Sequence, residues 1–549
     1  MENRRFFLLA ILGVIGFLLY QSWQKDYRST SNPAADASSQ QVVPPTDDAP
    51  RSAVATESPA VANAATSSVE VVRVETDRYL AEIGLVGGEL RRVELRGYAY
   101  SKKDPAKNLA LMNDRDGRLL VLQSGLAGSQ EPLATHKTRY ASAQPTYRLA
   151  DGATDLDVPL EYQDPSGFVV RKTFHFERES YEIGLTQTLV NHTAAQLAAG
   201  PYARFLSNAK IAGEEPPFTK SFLGLGVYEQ KEGTQNYRFR KISFTDLDKQ
   251  AVEIKQQGGW LALLQHYFVA AIFPPSGESL NFSAKPSVTQ GYLAQYVGPL
   301  TEVPSQGEKS FPLRLYVGPN LQDAVGKVAP GFELTQDYGM LTPIAEPLFV
   351  ALNWLHKLTH NWGVAIILLT LVVRALMYKL SEAQYRSMAK MKKFSPRIQE
   401  IKERYGDGRE KLNKAMMDLY KKEGFNPLAG CWPMLVQFPV FISLYWVLSQ
   451  SVELRQADFA LWINDLSAAD PYYVLPVLFG ISMFVTQKLS GQQMTDPTQQ
   501  KIMNLMPVFL SAFFAFSPAG LVLYWLVSSI ISIAQQWYIT RKFQRQGAA

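Results

Sequence analysis

Beyond residue 361 the chain carries five long apolar runs with almost no ionisable side chain: Trp362–Tyr378, Trp432–Leu448, Tyr472–Leu489, Ile502–Phe516 and Gly520–Ile539. A sixth, Phe6–Trp23 (FFLLAILGVIGFLLYQSW), stands near the amino terminus behind Arg4 and Arg5. A helix crosses a bilayer with about 20 apolar residues, and about 17 suffice where the bilayer thins locally. Six membrane spans are therefore expected, which excludes a purely soluble protein. An aromatic content of 12% excludes a disordered one.

The connecting loops set the orientation. Residues 381–430 carry 12 Lys/Arg against 7 Asp/Glu, and the tail adds Arg541, Lys542 and Arg545. Residues 451–470 carry Arg455 against Glu453, Asp458, Asp465 and Asp470. Basic loops stay in the cytoplasm, so both termini and the 381–430 segment are expected there, with the large insert after the first span outside. The net charge, 55 − 50 = +5, is too small to imply nucleic acid, and no specific nucleic-acid binding is expected. Residues 1–28 read as an uncleaved anchor, because bulky and polar residues (Tyr20 to Tyr27) follow the apolar run and the nearest A-x-A, Ala35–Ala37, lies too far downstream. In residues 29–69 Ala, Ser, Pro and Thr fill 27 of 41 positions without one aromatic, the composition of a disordered linker.

Residues 70–335 alternate apolar and polar with Gly, Pro and Asp breaks; Phe168–Val190 reads as two strands turning near Arg178–Ser180. The expected fold there is a single large antiparallel β-sandwich, giving a mixed fold class of a six-span α-helical membrane protein with an external β-domain. No chemistry is legible in it. His136, His175, His192 and His266 lack metal-ligand spacing, Gly326-Lys327 lacks the upstream glycine of a phosphate loop, and Gly224-Leu225-Gly226 lacks the third glycine of a dinucleotide fingerprint. With Cys431 the only cysteine, neither an intrachain disulfide nor a Cys-based zinc site is possible. No cofactor, metal or catalytic residue is expected.

Two segments flank the membrane. Residues 336–361 contain Pro343–Leu358 (PIAEPLFVALNWLHKL), apolar at helical spacing and expected to lie at the membrane surface. Residues 381–430, within the five-span portion 362–549, read as a helical hairpin: a helix starting at Ser395-Pro396, a break at Gly406–Gly408, and a second stripe of Leu412, Met416, Leu419 and Tyr420. It is either a solvated connector near lipid headgroups or a docking arm for a ribosome or targeting factor.

Arg374 is the ionised residue inside Ile366–Tyr378. At the bilayer centre an arginine costs about 2.5–3.5 kcal/mol on insertion scales. It either snorkels to the cytoplasmic interface or lines a wet groove. For the groove, Thr370, Arg374 and Tyr378 recur at i, i+4 and i+8 and so share a face, and Trp525, Ser528, Ser532 and Gln535–Gln536 share one on the last run. Gln437, Thr486, Gln487 and Asn504 add polar groups at cytoplasmic-half depth. No Asp or Glu occurs in any of the runs, so the guanidinium needs water or an acid supplied from elsewhere. That absence, and the absence of internal repeats, also disfavours a secondary transporter.

The runs NWGVAIILLTLVVRALMYKLSEAQYRSMAKMKKFSPRIQEIKERYGD (Asn361–Asp407), NPLAGCWPMLVQFPVFISLYWVL (Asn426–Leu448), SVELRQADFALWINDLSAADPYYVLP (Ser451–Pro476) and TDPTQQKIMNLMPVFLSAFFAFSPAGLVLYW (Thr495–Trp525) closely resemble the YidC/Oxa membrane protein insertases. GGWLALLQHYFVAAIFPP (Gly258–Pro275) extends the resemblance into the β-domain, as in the Gram-negative YidC type with a large periplasmic sandwich. The tail, RKFQRQGAA, is shorter and less basic than in some relatives. The resemblance implies a non-enzymatic insertase and chaperone of the inner membrane. It would act alone or with the Sec translocon on nascent membrane proteins, with ribosome and signal recognition particle contacts through the hairpin and lipids around it. It further implies a hydrophilic groove, open to the cytoplasm and to lipid, lined by Arg374, Thr370 and Trp525, with Tyr378, Gln437, Ser528, Ser532 and Gln535 as further candidates. Phe441, Met483 and Phe509 would form an apolar slide. A secondary transporter or a periplasmic sugar-binding membrane protein remains the alternative.

Overall fold

The computed structural model describes residues 70–546 apart from 103, 130–132, 211–221, 232, 288–290, 337, 339–340, 406–408, 423–431 and 491–496. The expected anchor (1–28), the linker (29–69) and the break at 406–408 lie outside the described residues.

Strands dominate as far as residue 319. In chain order they are β1 (Val71–Glu75), β2 (Tyr79–Gly84), β3 (Glu89–Ser101), β4 (Asp104–Met112), β5 (Leu120–Gly128), β6 (Thr146–Arg148), β7 (Asp155–Gln163), β8 (Phe168–Glu177), β9 (Glu182–Asn191), β10 (Leu197–Ser207), β11 (Gly224–Gln230), β12 (Tyr237–Ser243), β13 (Val252–Gln257), β14 (Trp260–Leu264), β15 (Phe268–Phe273), β16 (Ser279–Pro286), β17 (Tyr292–Val297), β18 (Thr301–Val303) and β19 (Glu308–Pro319). One sheet of 11 strands runs β13-β16-β17-β10-β5-β3-β2-β1-β6, with β18 beside β10 and β4 beside β3; the second, of eight, runs β12-β11-β14-β15-β19-β9-β8-β7.

Alternation explains the layering. On β8, Phe168, Val170, Lys172, Phe174 and Phe176 face in, while Arg171 and Glu177 face out; β9 returns Ile183, Leu185, Gln187 and Leu189 to the same core. The turn between them uses Glu179 at φ 59°, in the left-handed region. Where alternation disappears, as in β14 and β15, every residue is buried, marking strands covered on both faces. One pairing departs from the expected antiparallel pattern. β6 pairs with β1 in parallel, Arg73 opposite Thr146, because the chain returns to the sheet edge by a long excursion rather than a tight turn.

The helices are α1 (Phe244–Lys249), α2 (Gln322–Val328), α3 (Thr342–Thr359), α4 (Trp362–Leu376), α5 (Tyr378–Tyr405), α6 (Arg409–Lys422), α7 (Trp432–Gln450), α8 (Val474–Ser490), α9 (Pro497–Phe514) and α10 (Ala519–Gln546). The five apolar runs lie largely on α4, α7, α8, α9 and α10. Among the described residues Ala519–Lys542 is long and apolar enough to cross a membrane by itself; Trp362–Leu376 and Tyr378–Arg386 do so as a pair bent by 62°. Val474–Leu489 and Lys501–Phe514 are shorter apolar helices.

Helix α3 has three faces. Ala345, Phe349, Leu352 and Leu355 are buried in the helical core, Val350, Trp354 and Leu358 form an exposed apolar stripe, and Asn353 and Lys357 reach Asp323 of α2 at 2.9 and 3.2 Å. Helix α5 corrects an expectation. It begins at Tyr378 and runs unbroken to Tyr405, so Ser395-Pro396 does not start a helix.

Candidate functional site

The site is anchored by the start of α4. Asn361 caps the helix, accepting from Val364 N at 3.0 Å, and its amide donates to the Phe459 carbonyl at 2.8 Å. The same first turn needs Gly363, because a Cβ there would run into the Phe459 ring. The connection between α7 and α8 is thereby seated on one end of α4, which fixes the depth at which Thr370 and Arg374 stand.

Arg374, half-buried, reaches across to α10. Its Nε donates to Ser528 Oγ at 2.9 Å, Nη2 donates to the same hydroxyl, and Nη1 lies 3.5 Å from Gln437 Oε1 on α7. Tyr524 joins this cluster through Gln437 and Ser528. Among the described residues no carboxylate forms an ion pair with Arg374; its partners are hydroxyls and an amide. One turn along α10, Ser532 Oγ donates to the Ser528 carbonyl at 2.8 Å and Tyr385 of α5 hydrogen-bonds Ser532.

The other candidates fall into two groups. Thr370 is 1% exposed and donates to the Ile366 carbonyl at 2.6 Å, so its hydroxyl is satisfied within α4. Trp525 packs at tilted angles among Phe441 of α7 at 4.4 Å, Phe514 of α9 at 5.7 Å and Phe479 of α8 at 5.8 Å, and Met483 packs against the same core. Gln535 is half-buried. Phe509 faces away from the bundle, 65% exposed. Gln487 Nε2 approaches Asn504 Oδ1 at 3.5 Å, and Thr486 donates to the Ser482 carbonyl. The i, i+4, i+8 reasoning does not reach Tyr378: α4 ends at Leu376 and the chain bends by 62°, so Tyr378 leaves the face that carries Thr370 and Arg374. Sequence reasoning missed Tyr524 and Tyr385. Tyr524 was legible, since it precedes Ser528 and Ser532 at the same four-residue spacing; Tyr385 arrives only through the bend.

Around this polar cluster the outer surface is apolar. Val477, Leu478, Ile481, Phe484 and Val485 on α8 and Ile502, Leu505, Val508 and Phe509 on α9 are all exposed. A contiguous apolar surface of this kind is costly in water and natural in lipid. The arrangement is a cation and hydroxyls enclosed by helices whose outer faces are suited to hydrocarbon.

Residues 354–546 match the family described as 60Kd inner membrane protein, and residues 71–351 the one described as YidC periplasmic domain. A relative named membrane protein insertase YidC, from Nitrosococcus oceani, is 43% identical, with 100% of both chains covered. Its namesake from Methylococcus capsulatus is 41% identical at the same coverage. A crystal structure described as an active YidC insertase with the first transmembrane domain resolved aligns with 86% of this chain and 94% of its own, at 18% identity and a TM-score of 0.37.

Proposed function

The chain belongs to the YidC family of membrane protein insertases, and from that premise we propose how its own residues carry out insertion. It is a non-enzymatic inner-membrane insertase with a large periplasmic β-domain and a helical carboxyl-terminal portion. No covalent bond is made or broken; the task is to lower the barrier for moving polar groups of a nascent membrane protein into and across the bilayer.

In the topology we propose, six spans place both termini in the cytoplasm and the α5–α6 hairpin with them, where its basic face meets lipid headgroups, the ribosome or the signal recognition particle. The Sec translocon is a further partner in this reading. The observation that carries the mechanism is the setting of Arg374, whose guanidinium is held by Ser528 and Gln437, with no carboxylate pairing with it among the described residues. Neutral partners hold the side chain in place without cancelling its charge, and in a medium of lowered dielectric that charge attracts an anion far more strongly than in water. A polar or acidic client segment enters the groove beside Arg374, which shortens the apolar distance it must cross. The client's apolar segment slides past Phe441, Met483 and Phe509 into lipid, where each Leu, Ile, Phe or Val contributes about −0.3 to −0.6 kcal/mol.

The test is insertion of a small client into liposomes containing the purified protein, read by protease protection, with translocated segments that are acidic or neutral. Arg374→Ala is expected to fail selectively on the acidic client. Equal insertion of both clients by the variant refutes charge attraction and leaves groove polarity as the mechanism. No insertion by the unaltered protein refutes insertion by this chain alone.

A further inference from the structure

The β-sandwich and the helices meet at a joint built on residues 449–458, the end of α7 and the connection that follows. Val452 is 2% exposed within the sandwich core, and Leu454, fully buried, belongs to the helical core. The Ser449 carbonyl faces His266 Nε2 at 2.9 Å and accepts from the Tyr267 hydroxyl at 3.4 Å. Arg455 donates to the Ala99 and Tyr100 carbonyls at 2.9 and 3.1 Å, its guanidinium 5.7 Å from the Phe268 ring. Lys102 pairs with Asp458 at 2.9 Å.

Glu453 is the discordant member. Its Oε1 accepts from the backbone N–H of Gln322, at the start of α2, at 3.3 Å, while its Oε2 is buried with no hydrogen-bond partner among the described residues. Among those residues no cation forms an ion pair with it. A carboxylate buried without a counter-charge destabilises the state that buries it unless it takes a proton. We propose that Glu453 is a proton-operated latch: the β-sandwich is held tightly against the 449–458 segment when this carboxyl is neutral and loosely when it ionises.

The groups facing Glu453 fit that role. Asp323 of α2 repels it, Tyr98 of β3 and Tyr338 of the segment before α3 are phenols, and Arg455 on its own connection is engaged with backbone carbonyls. Burial, with a smaller push from Asp323, raises the carboxyl to about 7 from 4.5. Docking therefore binds a proton, so this share of the docking strength is present at low pH and is lost as pH rises from 4.5 to about 7. His266 opposes it. Burial lowers its imidazole below 6.5 against the Ser449 carbonyl, so docking releases a proton there and weakens as pH falls below 6.5. Against His266 stand the Ser449 carbonyl and the Tyr267 ring, and Tyr267 in turn faces Asp465 and Arg455.

Hydrogen exchange of the full chain in lipid nanodiscs tests this, through the protection of peptides covering 449–458 and 320–328, corrected for intrinsic rates. In His266→Gln, which removes the opposing titration, protection of these peptides is expected to fall about tenfold or more between about pH 5.5 and about pH 7.5, since one pH unit is worth up to a factor of ten. The unaltered protein shows a smaller fall. Glu453→Gln, neutral at every pH, abolishes it. Peptides from β8 and β9 report that each variant is folded. Protection that stays flat or rises with pH in His266→Gln overturns the proposal, as does a fall that persists in a folded Glu453→Gln. If Glu453→Gln disturbs β8 and β9, the slope in His266→Gln decides alone.

Discussion

Lys172 sits on β8 in phase with Val170 and Phe174, fully buried between the sheets, and it is the side chain whose removal says most about the sandwich. Its Nζ donates to the Gly87 carbonyl at 2.6 Å and to the Ser124 carbonyl at 3.1 Å, both on the side of the opposite sheet, and lies 4.9 Å from the Tyr140 ring centroid. Burial lowers its ammonium from 10.5 to about 7, the Glu89 carboxylate restoring only a part. The folded state thus sheds a proton that the unfolded state keeps between pH 7 and 10.5, and stability attributable to this group rises with pH across that window. At pH 7 the unfolded state gains a factor of about 10^3.2 from protonation relative to the folded one, and at pH 9 about 10^1.5, a difference worth about 2 kcal/mol. For a domain of this size that is a rise of roughly 4–8 °C in melting temperature. The assay is thermal unfolding of the β-domain within the full chain in detergent, followed by far-ultraviolet circular dichroism, with Lys172→Met as reference. The variant leaves two buried carbonyls without their donor, at about 1–3 kcal/mol each, and it lacks the lysine-dependent rise. Equal pH slopes in the two proteins would refute the reasoning.

Two further outcomes are expected at the α7–α8 connection. Gly363→Ala drives a methyl into the Phe459 ring and lowers the melting temperature of the helical portion by the equivalent of about 1–3 kcal/mol, with partial recovery in the double variant with Phe459→Leu; a neutral effect would show that the ring yields freely. Asp470→Ala removes a buried carboxylate that accepts from Trp462 Nε1, Tyr472 N and Leu475 N at 3.0, 3.0 and 2.7 Å. At about 1.5–3 kcal/mol for each bond to a charged acceptor, the start of α8 is expected to fray, read as faster hydrogen exchange over 470–477; unchanged exchange would refute the capping role.

Local pattern was legible in the sequence, long-range assembly was not. The β8–β9 hairpin follows from alternation and its polar turn, and the apolar runs largely coincide with α4, α7, α8, α9 and α10. Lys172 was visible in principle, since period two puts it on the same face as Phe168, Val170 and Phe174, but charge argues for the surface until the carbonyls that receive it are known. That β10 lies between β5 and β17, or that β6 joins β1 in parallel, depends on packing between segments far apart in sequence. In the candidate site, helical spacing brought out Arg374, Ser528 and Ser532 together. It misjudged Tyr378 because a bend at Met377 is a tertiary outcome, and the same bend brought Tyr385 to Ser532 unannounced.

The place of Val452 in the sandwich core has a consequence for how the protein is made. Every strand of that core is complete by Pro319, whereas Val452 emerges only after residues 320–451 have been translated. At about 5–20 residues per second the interval is on the order of ten seconds. Through it the newly folded sandwich carries an unfilled recess, and the segment that fills it comes from helices still entering the bilayer. The chain completes the core of its β-sandwich with a residue from its helical half.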